Sequence, residues 1–245
     1  MSKKRLDQIL VDRGLAESRA KAQALVLAGL VFSGEKRLDK PGTPTAEDLA
    51  IEVRGQPHPW VSRGGVKLAH ALAHFALDPK GTVAIDVGAS TGGFTDVLLT
   101  NGALRVYAVD VGQGQLAWKL RTDPRVVVLE KTNARRLSAA EIPEQVDMVV
   151  CDASFIGLET VLPAALALLK IGGSVVALIK PQFEVGPARV GKGGVVRDAA
   201  LHDEVCARIA AWLPTLGFAV LGIEPSPILG PEGNREFLVA ARKIQ

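Results

Sequence analysis

Several polar residues in this 245-residue chain stand directly beside apolar runs, at the positions where sheet proteins expose reactive side chains. Val146-Asp-Met-Val-Val-Cys leads into Asp152-Ala-Ser154, and Ser174-Val-Val-Ala-Leu-Ile leads into Lys180-Pro-Gln-Phe-Glu184. Glu236 opens the run Phe237-Leu-Val-Ala-Ala, and Lys67 lies in Ser62-Arg-Gly-Gly-Val-Lys-Leu, just ahead of the first such run. A lysine in its neutral form takes a proton from an alcohol, and a carboxylate beside it orients the amine. Taken singly, each of these residues is more often just a solvated strand end.

A second constellation reads as a cofactor site. Val83-Ala-Ile-Asp-Val runs straight into Gly88-Ala89-Ser90-Thr91-Gly92-Gly93-Phe94, where glycines let the backbone turn sharply and approach a ligand. The next apolar run, Val106-Tyr-Ala-Val, ends in Asp110, at the distance from Gly88 at which an acid reaches ribose hydroxyls. After Val126-Val-Val-Leu comes Lys131-Thr-Asn133, which places Asn133 to meet an adenine edge. The turn reads Gly88-x-Ser90-x-Gly92 and lacks the middle glycine that admits a pyrophosphate, which favours S-adenosylmethionine over a nicotinamide dinucleotide. Two rival readings stand beside it. A nicotinamide oxidoreductase accounts for the turn and Asp110 but leaves both lysines without a role, and a turn whose glycines only pack a helix needs no ligand at all.

The elements that must position these residues follow from periodicity. From Thr82 onward, apolar runs alternate with helical segments, the signature of an α/β, Rossmann-like parallel sheet with helices on both faces. Residues 1–53 have a different texture. Leu6, Ile9 and Leu10 fall at helical spacing before Gly14, and Ser18 is placed to cap a second helix that Gly29 closes. Leu30-Val-Phe then enters a hairpin-like turn at Ser33-Gly-Glu-Lys36, Thr43–Glu47 reads as a further turn, and alternation resumes at Leu49. The order expected for this small α+β module is ααβββ. Residues 54–62, Arg-Gly-Gln-Pro-His-Pro-Trp-Val-Ser, read as a linker in which Pro57 and Pro59 oppose helix and Trp60 packs against one module. The larger domain then spans 63–245.

The formal net charge is only +3, so placement carries the nucleic-acid argument. Arg5, Arg13, Arg19, Lys21 and Lys36 stand at helix starts and turns, where they can converge on phosphates; a plain solvated face is the alternative. Apolar residues make up 48% of the chain, which excludes a disordered polymer. Cys151 and Cys206 are too few for a disulfide framework and lack metal-ligand spacing, so no metal is expected and a reducing cytoplasm is the natural compartment. The most apolar stretch, 161–179, is broken by Pro163, Lys170 and Gly172-Gly173 into helix, turn and strand, so a soluble protein without a membrane partner is expected. Lys3-Lys-Arg is followed by an amphipathic segment, not a secretory signal.

Pattern comparison sharpens this. Arg5-Leu-Asp-Gln-Ile-Leu-Val-Asp-Arg-Gly, Ser18-Arg-Ala-Lys-Ala and Gly29-Leu-Val-Phe-Ser-Gly-Glu-Lys36 resemble the S4-type RNA-binding domain. Lys67, Asp152, Lys180 and Glu236 resemble, in order and context, the Lys-Asp-Lys-Glu tetrad of FtsJ-type RNA 2′-O-methyltransferases. Together with Asp86-Val-Gly-Ala-Ser-Thr-Gly-Gly-Phe-Thr, Cys151-Asp-Ala-Ser-Phe-Ile and Gly233-Asn-Arg-Glu-Phe, the chain looks like the TlyA family over nearly its whole length. Some members of that family carry a haemolysin label. The resemblance implies a class I methyltransferase domain with a mostly parallel seven-stranded sheet, S-adenosylmethionine as donor, and 2′-O-methylation of cytidine in ribosomal RNA or ribosomal subunits. It implies Lys180 as base with Lys67 second, the two acids orienting amines and ribose, and Gly88, Ala89, Ser90, Gly92, Gly93, Phe94, Asp110 and Asn133 around the cofactor. It departs at His58-Pro-Trp-Val, where relatives have an Arg-x-Trp-Val link. An RNA-binding protein with an inactive methyltransferase domain and a membrane-active haemolysin are the alternative functions.

Overall fold

Short apolar runs separated by glycine turns become strands of one seven-stranded sheet in the computed structural model, which describes residues 3–54 and 58–245. The first module holds β1 (Lys3–Arg5), α1 (Leu6–Asp12), α2 (Arg19–Leu27), β2 (Val31–Ser33), β3 (Lys36–Arg37), β4 (Pro44–Ala46) and β5 (Glu52–Val53). Ser18 caps α2 by accepting the Lys21 amide, as its position predicts. Leu6, Leu10, Ala22, Val26 and Val31 close a small core of their own.

The ααβββ expectation needs correction at two places. A strand precedes α1, and Thr43–Glu47, read as a turn, contains β4, which pairs antiparallel with β1. Both strands are three residues long; β1 is exposed throughout and β4 buries Thr45, and neither is long enough to show the alternation that marks a half-buried strand. Strand β2 pairs with β3 and β5 in a separate three-stranded sheet. Pro57 lies outside the described residues. Trp60 packs so closely on the next helix that a Cβ on Gly65 would lie 2.4 Å from its ring.

The second module runs α3 (Gly64–His74), β6 (Val83–Val87), α4 (Gly93–Thr100), β7 (Arg105–Val109), α5 (Trp118–Arg121), β8 (Val126–Leu129) and β9 (Val146–Cys151). It continues with α6 (Leu158–Val161), α7 (Pro163–Ala167), β10 (Leu169–Ile179), α8 (Pro181–Glu184), α9 (Ala199–Thr215), β11 (Phe218–Pro225) and β12 (Phe237–Lys243). The sheet order is β11-β12-β10-β9-β6-β7-β8, parallel from β10 to β8, with β12 antiparallel to both neighbours. Alternate residues of each central strand feed opposite faces. Ile85, Val109, Val149 and Cys151 pack with α6, α7 and α9, whereas Ala84, Val106, Met148 and Val150 pack with α3 and α4. The fifth parallel-side strand begins earlier than Ser174: β10 starts at Leu169 and carries Gly172-Gly173 as an irregularity in its pairing with β9 instead of a turn. No helix among the described residues is long and apolar enough to cross a membrane.

Candidate active site

Parallel strands all end at one edge of the sheet, and that edge collects the polar groups. Asp152 follows β9 and Lys180 follows β10. Glu236 precedes β12, but because β12 runs the other way its start lies at the same edge, with Phe237 opposite Ile179. Lys67 comes from the first turns of α3, packed against α4. The four side chains meet. Lys67 Nζ lies 2.6 Å from Glu236 Oε2 and 3.9 Å from Asp152 Oδ2. Lys180 Nζ lies 2.7 Å from Asp152 Oδ1 and donates to the Asp152 carbonyl at 3.1 Å and to Ser154 Oγ at 2.9 Å. Both lysines and Glu236 are buried, and Asp152 is the member that reaches solvent. Two positive and two negative groups balance, so a dry site holds them without net charge.

Two clefts meet at this cluster. The first, of roughly 480 Å³, lies over the ends of β6 and β7 and is lined by Gly88, Ser90, Asp110, Asn133, Asp152 and Phe155 among others. The second, of roughly 560 Å³, opens between the modules and is lined by Glu17, Arg63, Lys67, Phe94, Asp152 and Lys180 among others. They share Gly88, Ser90, Gln115, Asp152 and Ser154.

Within the first cleft, Asp110 is held by the turn after β6 and by its own turn. Oδ2 accepts the Ser90 amide at 2.8 Å and Oδ1 accepts the Gly112 amide at 2.7 Å, which aims the carboxylate and leaves further lone pairs on each oxygen. Asn133 Oδ1 caps the turn that follows by accepting the Arg135 amide. Gly88 has φ +80° and passes the β9 end so closely that a Cβ would lie 2.9 Å from the Ala153 backbone. Ala89, Gly93 and Phe94 line the second cleft. Gly92 is not among the residues that line either cleft; it has φ +95°, and a Cβ there would meet Leu120 at 2.3 Å, so packing alone calls for glycine at this position.

Sequence reasoning missed three residues here. Asp86 is fully buried at the end of β6, and its Oδ2 accepts the Thr95 amide and hydroxyl at 3.0 and 2.7 Å. Burial, reinforced by Asp152 and Asp110, pushes its carboxyl up to about 7. An acid inside an apolar strand was the signal for it. Ser154 marks a hydroxyl position beside Lys180. Phe155, 89% exposed with φ +64°, presents its ring beside Phe183 at 5.0 Å between centroids. Cys151 points into the core, and burial pushes its thiol up to about 12.

The five expected RNA contacts separate. Arg5 and Arg19 converge on buried Asp7, at 2.8 and 3.4 Å, while both stay half exposed. Those cations hold the Asp7 carboxyl well below the usual range, with Gln23 adding a hydrogen bond. Lys21 and Lys36 are exposed, Lys36 on the β2–β3 hairpin. Arg13 turns inward: its guanidinium donates to the carbonyls of Leu49 and Glu47, so it fastens α1 to the chain beyond β4.

A parallel sheet with an antiparallel β12 inserted between β10 and β11, carrying a donor cleft at its strand ends, defines the class I methyltransferases. The sequence model of the FtsJ-like methyltransferases matches residues 60–243, and that of the S4 domain matches residues 4–47. The 16S/23S rRNA (cytidine-2′-O)-methyltransferase TlyA of Mycobacterium tuberculosis is 48% identical over 239 residues, covering 97% of this chain and 89% of that protein. Hemolysin A of Brachyspira hyodysenteriae is 39% identical, covering 96% of this chain and 98% of its own. A solved structure from Streptococcus thermophilus that carries the hemolysin name is 44% identical, with a TM-score of 0.77, over all of this chain and 90% of that one. The chain belongs to the TlyA family of FtsJ-like methyltransferases. Its methyl donor is S-adenosylmethionine.

Proposed function

We propose that the chain methylates a ribose 2′-hydroxyl of ribosomal RNA, at cytidine, in the cytoplasm. The observation that carries this is the meeting of the two clefts at Asp152 and Ser154, with both lysines at the junction. The TlyA relative supplies cytidine and ribosomal RNA as the acceptor class. In this reading residues 1–53 grip RNA, 54–62 join the modules, and 63–245 perform the chemistry on free RNA or on a ribosomal subunit.

Asp110 and Asn133 fit a nucleoside: a carboxylate for ribose hydroxyls and an amide for the base, on either side of the strand-end cleft. When bound there, S-adenosylmethionine supplies an electrophilic methyl group. Ser90, Gly93 and Phe94 flank the passage from that cleft toward Lys67 and Lys180.

The protein's own work is on the acceptor. In its neutral form Lys180 has two protons for Asp152, one to the carboxylate and one to the carbonyl, and one lone pair left. That lone pair lies toward Ser154 Oγ, which is the partner in this structure, and a ribose hydroxyl that takes the place of the serine hydroxyl there gives its proton to the amine. Lys67, anchored by Glu236, turns a second amine toward Asp152 and steadies the carboxylate that aims Lys180. Burial keeps competing water from the amines. The exposed ring of Phe155 offers a stacking surface for the base of the acceptor nucleotide at the cleft mouth.

The test is methyl transfer to purified ribosomal RNA and subunits, followed by nucleoside analysis. The expected product is 2′-O-methylcytidine in a linkage that resists alkali, because the 2′-oxygen no longer attacks its phosphate. Lys180→Ala should abolish transfer while S-adenosylhomocysteine still raises the melting temperature. A methyl group on a base atom overturns the reading.

A further inference from the structure

We propose that His70, His74 and Glu224 bind a divalent transition-metal ion. His70 and His74 are four residues apart on α3 and therefore project from one face, with rings stacked at 5.9 Å. Glu224, on edge strand β11, reaches both: His70 Nε2 lies 3.5 Å from Oε1, and His74 Nε2 lies 3.6 Å from Oε2. One ligand atom from each residue lies within 4.8 Å of the other two.

These separations suit a coordination shell better than hydrogen bonds. An imidazole N–H donating to a carboxylate sits at about 2.7–2.9 Å. Ligands about 2.0–2.1 Å from a tetrahedral ion stand about 3.4 Å apart. His70 Nε2 is also enclosed and has no hydrogen-bond partner among the described residues, an arrangement that costs free energy unless something accepts its lone pair. Two imidazoles and one carboxylate are a donor set for zinc and its neighbours, and a water completes a fourth position. All three side chains keep roughly a third or more of their surface, so the ion exchanges with solvent.

The site braces the reaction centre from behind. His70 is one turn beyond Lys67 on α3, and Glu224 pairs across the strands with Leu238, two residues past Glu236. An ion bridging α3 to β11 ties together the helix and the strand pair that carry Lys67 and Glu236. The proposal does not depend on the methyl-transfer reading, because metal binding is measured without RNA or methyl donor.

The experiment titrates zinc alone into the chelator-stripped full chain by calorimetry and follows its melting temperature. One ion per chain and a rise in melting temperature are expected. His74→Ala and Glu224→Gln, each melting like the parent without zinc, should weaken binding at least about tenfold and lose the shift. Cobalt in the same site should show ligand-field bands without the thiolate charge-transfer band that Cys151 or Cys206 would give. No zinc binding by the parent, or binding unchanged in both variants, overturns the proposal.

Discussion

Lys67 and Glu236, 169 positions apart in the chain, meet at 2.6 Å with almost no solvent on either side chain. Among the described residues Glu236 Oε1 has no hydrogen-bond partner, and Oε2 meets Lys67. Removing one member strands the other charge in the interior. Lys67→Met should destabilise the fold by about 3–5 kcal/mol. Adding Glu236→Gln to that variant should recover most of the loss, because no charge is then left unpaired. Urea unfolding of the parent, both single variants and the double variant checks this, and methyl transfer should stay absent in all three variants.

Asp110 both shapes the β6 turn and faces the donor cleft. Asp110→Ala should weaken S-adenosylmethionine binding by at least about tenfold in calorimetry, in line with the loss of a charge-assisted hydrogen bond of about 1.5–3 kcal/mol. Far-ultraviolet circular dichroism should stay unchanged, because the seven-stranded sheet does not run through this side chain.

The basic residues of the first module should divide into two classes. Lys21→Ala and Lys36→Ala remove exposed charges, so each should lower RNA affinity and reduce the salt dependence of binding by about one unit of slope per lost phosphate contact. Arg13→Ala breaks two bonds to backbone carbonyls and should lower thermal stability without that change in slope. Filter binding across a salt series, beside melting curves, separates the classes.

Asp86 should make stability fall with pH. Its carboxyl titrates at about 7 in the fold against an ordinary 3.8, so between those values the folded chain holds a proton that the unfolded chain has released. The contribution is complete below about pH 4 and is lost as pH rises through about 7, on the order of a few kcal/mol. Asp86→Asn keeps an oxygen for Thr95 and removes the titration. Relative to the parent, the variant should gain stability between pH 5 and pH 8 (about, by the same linkage) in urea unfolding; parallel curves sink the assignment.

The sheet was legible because its central strands are buried on both faces and therefore read as near-continuous apolar runs, such as Val175–Ile179 in β10. The tetrad was legible because strand ends are the sheet's reactive edge, and Glu236 could be placed there although β12 runs backward. What escaped notice depends on tertiary partners. Strands β1 and β4 are too short to leave a pattern, and each exists through the other. Arg13 reads like its basic neighbours until its carbonyl partners are known. The spacing of His70 and His74 is visible in the chain, but Glu224 joins them only when α3 crosses the β11 edge.

The position of β12 also sets an order in time. This strand fills the slot between β10 and β11, so until it emerges during synthesis, β11 has no strand to pair with and Lys67 lacks its 2.6 Å partner Glu236. A nascent chain halted before Glu236 holds the residues of the donor cleft yet lacks a completed reaction centre. A protein whose proposed acceptor belongs to the machine that builds it is thereby idle toward that machine until nearly all of its second module has been delivered.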